Sequence, residues 1–278
     1  MNKFEHILND PEVITLLDIF EEKLFLVGGC VRDAILDKKT SDIDFATKFK
    51  PNEVIEILEK NKIKHLKIGL KHGTVTAVIN NRKFEITSFR KDLKTDGRHA
   101  DVDFSEDMEE DAARRDFTIN ALYLDKFGKF YDFHDGFDDI NNRKIRFIGD
   151  PEKRVSEDYL RIMRFFRFSA MMQLMNDNKE ILEIFKNHHK KLDVISNERL
   201  WHEFSGLLKS EDPSNALKEM QEVGILREHF CNCSISQSFD ILISVETKIK
   251  YPINHIFRLS VLLNNDKEKI NNLSLIHI

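Results

Sequence analysis

The pattern of apolar positions changes once along the chain. Before residue 150, short apolar runs and alternating segments predict strands interspersed with helices. Residues 24–27 predict a buried strand that turns at Gly28-Gly29 into a helix from Cys30 to Leu36. Further strands are predicted at 41–46, 75–79 and 83–89, the last two as a hairpin. After Gly149-Asp150-Pro151 the pattern is almost continuously helical.

These patterns predict an α+β protein with two domains. We expect a mixed-sheet head in residues 1–150 and an all-helical region in residues 151–278. Between Arg90 and Asp107 the head is interrupted by polar and turn-forming residues. Because this segment is longer than an average connection, it is either a mobile functional loop or a disordered insert.

Composition and charge narrow the class of protein. Of 278 residues, 41% are hydrophobic, which is enough to fill a core and excludes a wholly disordered chain. The 43 Lys and Arg against 48 Asp and Glu exclude a strongly basic nucleic-acid binder. Residues 146–191 nevertheless carry ten Lys or Arg against seven Asp or Glu, which is either a local anion-binding region or an ordinary charged helical surface.

The sequence also predicts where the protein works. No apolar run reaches the roughly 20 residues of a membrane helix, and the first residues do not resemble a secretory signal. The three cysteines have no zinc-site spacing and fit a reducing compartment. We therefore expect a cytoplasmic protein that does not bind membranes.

Two aspartates form a candidate metal site. Asp42 and Asp44 lie two residues apart on a predicted strand, so both carboxylates face the same side while Ile43 faces the core. Mg²⁺ takes a few carboxylates together with water and substrate phosphates. The alternative is an acidic, solvent-facing strand edge.

The glycine turn is a candidate phosphate site. Gly28 and Gly29 follow a predicted strand and open a helix whose first N–H groups can meet an anion, and Arg32 adds a bidentate donor. A tight turn that needs glycine only for its backbone is the alternative. Taken with Asp42 and Asp44, the turn describes a site for a nucleoside triphosphate and its metal.

Glu85 is a possible third carboxylate. It lies on a predicted strand, on the face opposite its apolar neighbours Phe84 and Ile86. There it can act as a general base or as a metal ligand toward an attacking hydroxyl. An exposed strand glutamate without a function is the alternative.

Three motifs together resemble one family. Gly28-Gly29-Cys30-Val31-Arg32-Asp33, followed by Asp42-Ile43-Asp44, resembles the signature of nucleotidyltransferases with a polymerase-β-like catalytic head. Arg114–Ala121 resembles the ribose-binding motif of class II (bacterial-type) tRNA CCA-adding enzymes and poly(A) polymerases. Glu157–Arg161 resembles the base-template motif of the same family, and the resemblance extends faintly to Glu198-Arg199.

The second motif suits a phosphate and a ribose. Arg115 can grip a phosphate while Asp116 accepts a hydrogen bond from a ribose hydroxyl, and a deoxyribose would leave that acceptor unpaired. Asn120 would face the same way if the stretch is helical. The alternative is a charge cluster on a helix, which Glu109 and its acidic neighbours also suggest.

The third motif suits a nucleotide base. If Asp158 and Arg161 share a helix face, one accepts and the other donates hydrogen bonds, which matches the amine and ring nitrogen of C and A but not of G and U. An intrahelical salt bridge is the alternative. Arg164 and Arg167 continue the spacing, and the resemblance implies that they close over the base and triphosphate; the alternative is a solvated basic face.

The resemblance implies an RNA 3′-terminal nucleotidyltransferase that adds C and A to tRNA 3′ ends from CTP and ATP, with two Mg²⁺ ions held by Asp42 and Asp44. Poly(A) polymerase, an enzyme that adds only A or only CC, and a non-catalytic nucleotide- or RNA-binding protein are the alternatives. The segment from Arg90 to Asp107 matches the place of the family's flexible loop. Relatives usually carry a longer helical body, so we expect a partial RNA-binding body here.

Overall fold

The computed structural model describes residues 3–38, 40, 42–91, 103–174, 178–230 and 233–263. The chain divides into two compact units. The first comprises residues 1–142 and 146–148, and the second comprises residues 143–145 and 149–278. Within the described ranges, no helix is both long enough and apolar enough to span a membrane.

The first unit contains nine strands and six α-helices among the residues described. The strands are β1 (Leu24–Val27), β2 (Asp44–Thr47), β3 (Lys64–Leu66), β4 (Thr74–Ile79), β5 (Arg82–Ser88), β6 (Arg90–Lys91), β7 (Asp103–Phe104), β8 (Leu122–Leu124) and β9 (Phe130–Asp132). The helices are α1 (Glu5–Leu8), α2 (Pro11–Ile19), α3 (Gly29–Ile35), α4 (Pro51–Lys60), α5 (Met108–Ala113) and α6 (Gly136–Asn141). Short 3₁₀ turns lie at Glu21–Lys23, Leu70–His72 and Thr118–Asn120.

Seven strands form one mixed sheet in the order β3-β4-β5-β2-β1-β8-β9. Only β2 and β5 pair in parallel; the other neighbouring strands in this sheet are antiparallel. Strands β6 and β7 form a separate two-stranded ribbon. The parallel pair matters for the site because it places Asp44 directly beside Glu85.

Local sequence explains the turns that shape this sheet. Gly28 adopts φ +70° between β1 and α3, a backbone conformation that residues other than glycine rarely take. Asn80 and Asn81 both have positive φ in the hairpin between β4 and β5, as the tight turn requires. The Asp10 carboxylate accepts the first-turn N–H groups of α2, and Pro11 opens that helix.

The core of the first unit lies against the middle of the sheet. Buried apolar residues from four strands or their flanks and from α5 pack together. Phe89 stacks on Phe25 and meets Tyr123 edge to face, with ring centroids 5.9 and 6.1 Å apart. This packing holds β1 and β8 rigidly in the sheet, next to the carboxyl end of β1 where the glycine turn begins.

The second unit is helical throughout the residues described. Its helices are α7 (Pro151–Glu157), α8 (Leu160–Met172), α9 (Lys179–His188), α10 (Asn197–Leu208), α11 (Ser214–Val223), α12 (Ile225–His229), α13 (Gln237–Ile249) and α14 (His255–Leu262), with a 3₁₀ segment at His189–Val194. Helix α8 is central, since Phe165 and Phe166 both pack on Phe185 of α9 with ring centroids 5.1 and 5.4 Å apart.

The α+β prediction, a mixed-sheet head followed by helices, is confirmed. Three local predictions are wrong in detail or fall outside the described structure. Asp42 precedes β2, which begins only at Asp44. Asp158 lies in the break between α7 and α8, with φ −150° and ψ 105°, so it shares no helix with Arg161. Of the polar segment from Arg90 to Asp107, residues 92–102 lie outside the described residues.

Candidate active site

The glycine turn is backed by an arginine and a peptide carbonyl. A Cβ placed on Gly28 would lie 3.4 Å from the Asn120 carbonyl oxygen and 3.5 Å from Nη1 of Arg115. A Cβ on Gly29 would lie 3.6 Å from Nη2 of Arg32. The turn therefore brings two of the predicted phosphate donors, Arg32 and Arg115, to the same stretch of backbone.

Three buried side chains beside the turn form a hydrogen-bonded chain. Arg32 donates from Nη1 to the Asn120 Oδ1 at 2.6 Å and from Nε to the Asp33 Oδ1 at 3.0 Å. Asn120 in turn donates from Nδ2 to the Asp116 Oδ1 at 3.1 Å. The sequence proposed Arg32, Asp116 and Asn120 as nucleotide ligands from positions 88 residues apart at the extreme, and the fold brings them together.

Asn120 faces Asp116, although the stretch is not a continuous helix. Helix α5 ends at Ala113, Arg115 and Asp116 follow it, and Thr118–Asn120 is a 3₁₀ turn. The Asp116 carboxylate accepts both the Phe117 N–H, at 2.8 Å, and the Asn120 amide. The segment that resembles a ribose-binding motif is therefore a turn held by its own side chains.

Arg115 is fixed by Asp111 and Tyr123. Arg115 donates from Nη2 to the Asp111 Oδ2 at 3.0 Å and from Nε to the Tyr123 hydroxyl at 3.0 Å. The Tyr123 hydroxyl donates to the same Asp111 oxygen at 2.7 Å, and Arg114 holds the other oxygen. Burial alone would raise the pKa of Asp111, but the charges of Arg115 and Arg114 outweigh it and hold that pKa below its usual value.

Three carboxylates converge at the start of β2. Asp44 pairs in register with Glu85 on the neighbouring parallel strand, and Asp42 lies two residues earlier. Asp42, Asp44 and Glu85 all retain contact with solvent, although the surrounding protein removes part of the hydration of Asp44, whereas Ile43 and Phe45 are buried. Asp44 and Glu85 therefore lie on the solvent-facing side of β2 and β5, and Asp42 is exposed just before β2 begins.

The negative charges of this cluster repel one another. Desolvation by the surrounding protein, followed by the charges of Glu85 and Asp42, raises the pKa of Asp44 to about 6, although Arg115 opposes the shift. A divalent cation would remove this repulsion, and oxygen donors are the ligands that a hard cation prefers. The donor set of Asp42, Asp44 and Glu85 therefore fits a divalent metal. The charge of Arg115, which lies beside Gly28, acts on Asp44, so the carboxylates lie within electrostatic reach of the glycine turn.

Cys30 takes no part in this chemistry. Its thiol is buried, donates to the Val27 carbonyl at 3.4 Å, and has its pKa raised to about 12 by burial. A nucleophilic cysteine needs a lowered pKa.

In the helical unit, the predicted base-reading residues are held by different partners. The Asp158 carboxylate accepts the Leu160 N–H at 3.1 Å and lies 3.3 Å from the Arg199 guanidinium. The Arg161 guanidinium donates to the Arg154 carbonyl at 2.6 Å and to Glu157 at 2.8 Å. Asp158 is therefore paired with Arg199 of a later helix, α10. This is not the intrahelical salt bridge with Arg161 that the sequence offered as the alternative.

Arg164 and Arg167 converge on a buried glutamate. Arg167 donates from Nε to Glu203 at 2.5 Å, and Arg164 lies 3.6 Å from the other carboxylate oxygen. Both guanidinium groups also lie over the Phe168 ring. Gly206 gives Arg167 room, because a Cβ there would meet its Cδ at 2.6 Å. These arginines are therefore anchored, not a loosely solvated face.

Sequence reasoning missed the residues that position this machinery. Asp111 enters the sequence analysis only as an acidic neighbour of Glu109 in the alternative of a charge cluster on a helix, yet it is fully buried. Tyr123 lies in none of the predicted strands, and Glu203 lies in the region predicted only as nearly continuous helix. The sequence offered one hint, an acid directly beside an apolar residue within a helix: Glu203 precedes Phe204 in α10.

Two family models match the chain. The model of the poly A polymerase head domain matches residues 24–146, which contain the glycine turn and the carboxylates. The model described as a "probable RNA and SrmB-binding site of polymerase A" matches residues 175–232.

Curated relatives and a solved structure are similar in sequence to most of this chain. Mitochondrial CCA tRNA nucleotidyltransferase 1 of Danio rerio is 38% identical over 229 residues, 80% of this chain and 53% of the relative. A CCA-adding enzyme of Lactobacillus helveticus is 41% identical over 196 residues, 70% of this chain and 48% of that protein. The crystal structure of the Bacillus stearothermophilus CCA-adding enzyme in complex with CTP matches with a TM-score of 0.67 at 34% identity, covering 81% of this chain and 53% of that one.

This mixed sheet, with carboxylates beside a glycine turn and two arginines, matches the poly A polymerase head domain, which places the first unit in that class of domain. The two matching family models and these relatives identify the family within this class. The chain belongs to the family of class II tRNA CCA-adding enzymes and poly(A) polymerases. It spans about half the length of the curated relatives that it matches.

Proposed function

We propose that this protein is an RNA 3′-terminal nucleotidyltransferase that adds C and A to tRNA 3′ ends from CTP and ATP and releases pyrophosphate. The observation that carries the proposal is the convergence of Asp42, Asp44 and Glu85 within electrostatic reach of Arg115, which itself backs the glycine turn. Transfer of a nucleotide needs such an arrangement, with carboxylates for the metal beside donors for the triphosphate.

Asp42 and Asp44 would hold Mg²⁺, with Glu85 as a third ligand or as a base for the primer hydroxyl. When bound, the metal supplies a lowered pKa for the attacking 3′-hydroxyl and neutralises charge on the leaving pyrophosphate. The chain's own part is to present the carboxylates on one exposed face of β2 and β5 above a rigid apolar core. That rigidity positions the reacting groups without further ordering at the moment of reaction.

The triphosphate and ribose would lie along the glycine turn. Gly28 and Gly29 let the phosphates approach the backbone, while Arg32 and Arg115 supply charge-assisted hydrogen bonds. Asp116 and Asn120, already ordered by Arg32, would meet the ribose hydroxyls. A deoxyribose would leave a buried acceptor unpaired, so the site should favour ribonucleotides.

The base would be selected by Asp158 and Arg161. The carboxylate accepts from an exocyclic amine and the guanidinium donates to a ring nitrogen, a pattern offered by C and A and not by G and U. In this structure Asp158 contacts Arg199 and Arg161 contacts Glu157, so base binding would exchange these ion pairs for hydrogen bonds to the base.

The RNA would be held by the helical unit. This assignment is supported by the local positive excess of residues 146–191, by the family model that matches residues 175–232, and by the relatives' names, which specify tRNA and CCA addition. Arg164 and Arg167 of this unit would instead close over the base and the triphosphate of the bound nucleotide, as the resemblance implies. Shape and backbone charge dominate recognition of structured RNA.

The deciding experiment is single-nucleotide incorporation. The protein is incubated with Mg²⁺, a tRNA lacking its CCA end, and CTP, ATP, GTP or UTP alone or CTP with ATP. We expect two C residues and then one A, with no extension by GTP or UTP. Growth of A tails on arbitrary RNA would instead identify a poly(A) polymerase, and A alone or CC alone would identify a partial enzyme.

A variant tests the catalytic assignment. Asp42→Ala combined with Asp44→Ala should abolish incorporation while leaving the fold intact, because both residues are exposed. The matched control is Asp138→Ala, an exposed acid on α6, which should retain full activity. Unchanged incorporation by the double variant would favour the non-catalytic alternative.

A further inference from the structure

A second group of metal-ligating side chains lies in the helical unit, outside the catalytic machinery. His189 begins the 3₁₀ segment His189–Val194, while Glu228 and His229 end helix α12. One ring nitrogen of each histidine and one Glu228 carboxylate oxygen all lie within 4.8 Å of one another. Two imidazoles and a carboxylate are a ligand set that proteins use for zinc and related ions.

The distances are close to those of a bound ion. Tetrahedral ligands at about 2.1 Å from zinc lie about 3.4 Å from one another. The His189 Nδ1 lies 3.4 Å from the Glu228 Oε2, so this pair already has the required separation. The third ligand atom lies within 4.8 Å and needs to move by only about an ångström.

Two ring nitrogens at this place are buried without a hydrogen-bond partner. The His189 Nδ1 and the His229 Nε2 are both inaccessible to solvent and make no hydrogen bond. The side chains of His189 and His229 are 8% and 5% exposed. A buried polar atom left unpaired is costly, and it is uncommon in native proteins unless an unseen water or ion satisfies it.

Asp193 orients the second histidine. Its carboxylate lies 3.4 Å from the His229 Nδ1, on the opposite side of the ring from the unpaired Nε2. A carboxylate at one ring nitrogen favours the tautomer whose other nitrogen carries a lone pair, which is the arrangement found behind metal-bound histidines. The His229 ring is therefore prepared to act as a ligand through Nε2.

Burial also favours the neutral form of His189, which is the form that binds a metal. Burial of the His189 ring, reinforced by His229, Lys190 and Arg227, holds its pKa below that of an ordinary histidine, against the opposite effect of Glu228. An imidazole binds a metal only in its neutral form.

We propose that His189, Glu228 and His229 bind one divalent transition-metal ion, of which Zn²⁺ is the best match, with water in the fourth position. The ion would tie the segment His189–Val194 to the end of α12 and coordinate both ring nitrogens that make no hydrogen bond. All three ligands fall in the region matched by the RNA-binding family model, so the ion would brace that region without taking part in nucleotide transfer. The proposal does not depend on the catalytic function.

Direct metal binding tests the proposal. The full chain is stripped with a chelator and titrated with Zn²⁺ by calorimetry in excess Mg²⁺, which occupies the oxygen-only site at Asp42 and Asp44. Co²⁺ is then used as a spectroscopic probe. We expect one equivalent of Zn²⁺, tetrahedral d–d absorption from Co²⁺, and a rise in melting temperature on adding Zn²⁺ that the chelator reverses.

Variants distinguish this site from adventitious binding. His189→Gln and His229→Gln should lose the tight equivalent, and Glu228→Gln should weaken it at least tenfold. Asp193→Asn and Glu228→Gln alter partly exposed side chains, so they keep the test valid even if a histidine variant fails to fold. The matched controls are His202→Gln and Glu222→Gln, both exposed and outside the cluster. Absence of a tight equivalent, or its persistence in all four cluster variants, would overturn the proposal.

Discussion

A single buried carboxylate, Asp111, organises the arginines beside the glycine turn, where we propose that the triphosphate binds. It receives Arg114 on one oxygen and Arg115 and Tyr123 on the other. It also accepts the Arg90 N–H at 3.1 Å, which ties α5 to β6. A buried charge is tolerated only when it is paired and hydrogen-bonded. The donors therefore stabilise the buried Asp111 carboxylate, and the carboxylate in turn fixes their positions.

Asp111→Asn should weaken both folding and activity. Removal of one partner from a buried ion pair costs about 3 kcal/mol of unfolding free energy, and Arg115 loses its anchor, so KM for the nucleotide should rise. Urea unfolding at pH 7 and steady-state kinetics measure the two effects. The control is Glu109→Gln, an exposed acid on the same helix. Wild-type KM in Asp111→Asn would show that Arg115 is positioned without it.

The same residue predicts an acid dependence of stability. Because the folded-state pKa of Asp111 lies below its ordinary value, its stabilising contribution is complete above the ordinary pKa. That contribution is lost as the pH falls through the depressed folded pKa. Urea unfolding between neutral and strongly acidic pH should show a loss that is smaller in Asp111→Asn than in wild type. An identical pH profile would contradict this assignment.

Asp44 predicts a pH dependence of metal binding. Its pKa of about 6 means that protons compete with a divalent cation as the pH falls through that value, so metal binding should weaken in mild acid. Glu85→Gln removes a like charge and should lower the pKa of Asp44, as followed by a carbon-detected NMR titration of the carboxylates. The control Glu56→Gln, on α4, should leave it unchanged.

At the scale of elements, the important feature is where helices and strands stop. The parallel pairing of β2 and β5 places carboxylates from distant parts of the chain side by side. The break between α7 and α8 frees Asp158 from a helix, so its carboxylate can cap Leu160 and reach Arg199 on α10. A continuous helix would have turned the same residue toward Arg161 only.

Asp158→Ala should relax base selection more than it weakens triphosphate binding. The missing acceptor distinguishes C and A from G and U, so the preference for CTP over UTP should fall at least tenfold while binding of pyrophosphate is unchanged. Single-nucleotide kcat/KM values measure this. Arg227→Ala removes an exposed arginine elsewhere in the helical unit and serves as the control. An equal loss for all four nucleotides would mean that Asp158 is only structural.

At the scale of the whole molecule, charge is distributed unevenly. The chain is acidic overall, with a net charge of −5, while residues 146–191 are locally basic. Such a distribution attracts an RNA backbone to one region and repels it elsewhere. Binding that depends on backbone phosphates falls steeply with salt, whereas base selection does not.

Charge reversal tests this distribution. Lys190→Glu with Lys191→Glu changes two exposed residues of the basic region, and we expect weaker tRNA binding and a shallower dependence of log K on log salt, by about one for each RNA phosphate that the variant no longer neutralises. The control reverses Lys60 and Lys64, which are exposed in the first unit. Fluorescence anisotropy with labelled tRNA measures both slopes. Equal slopes in the two variants would place the RNA elsewhere.

The sequence by itself determined the α+β class, the strand and turn at Gly28, and the solvent-facing side of Asp44, because these follow from local periodicity and glycine stereochemistry. The tertiary structure alone decided that Glu85 lies beside Asp44, that Asn120 bonds Arg32, and that buried acids hold the arginines. Pairing between distant segments depends on sheet order and on desolvation, which no local pattern records.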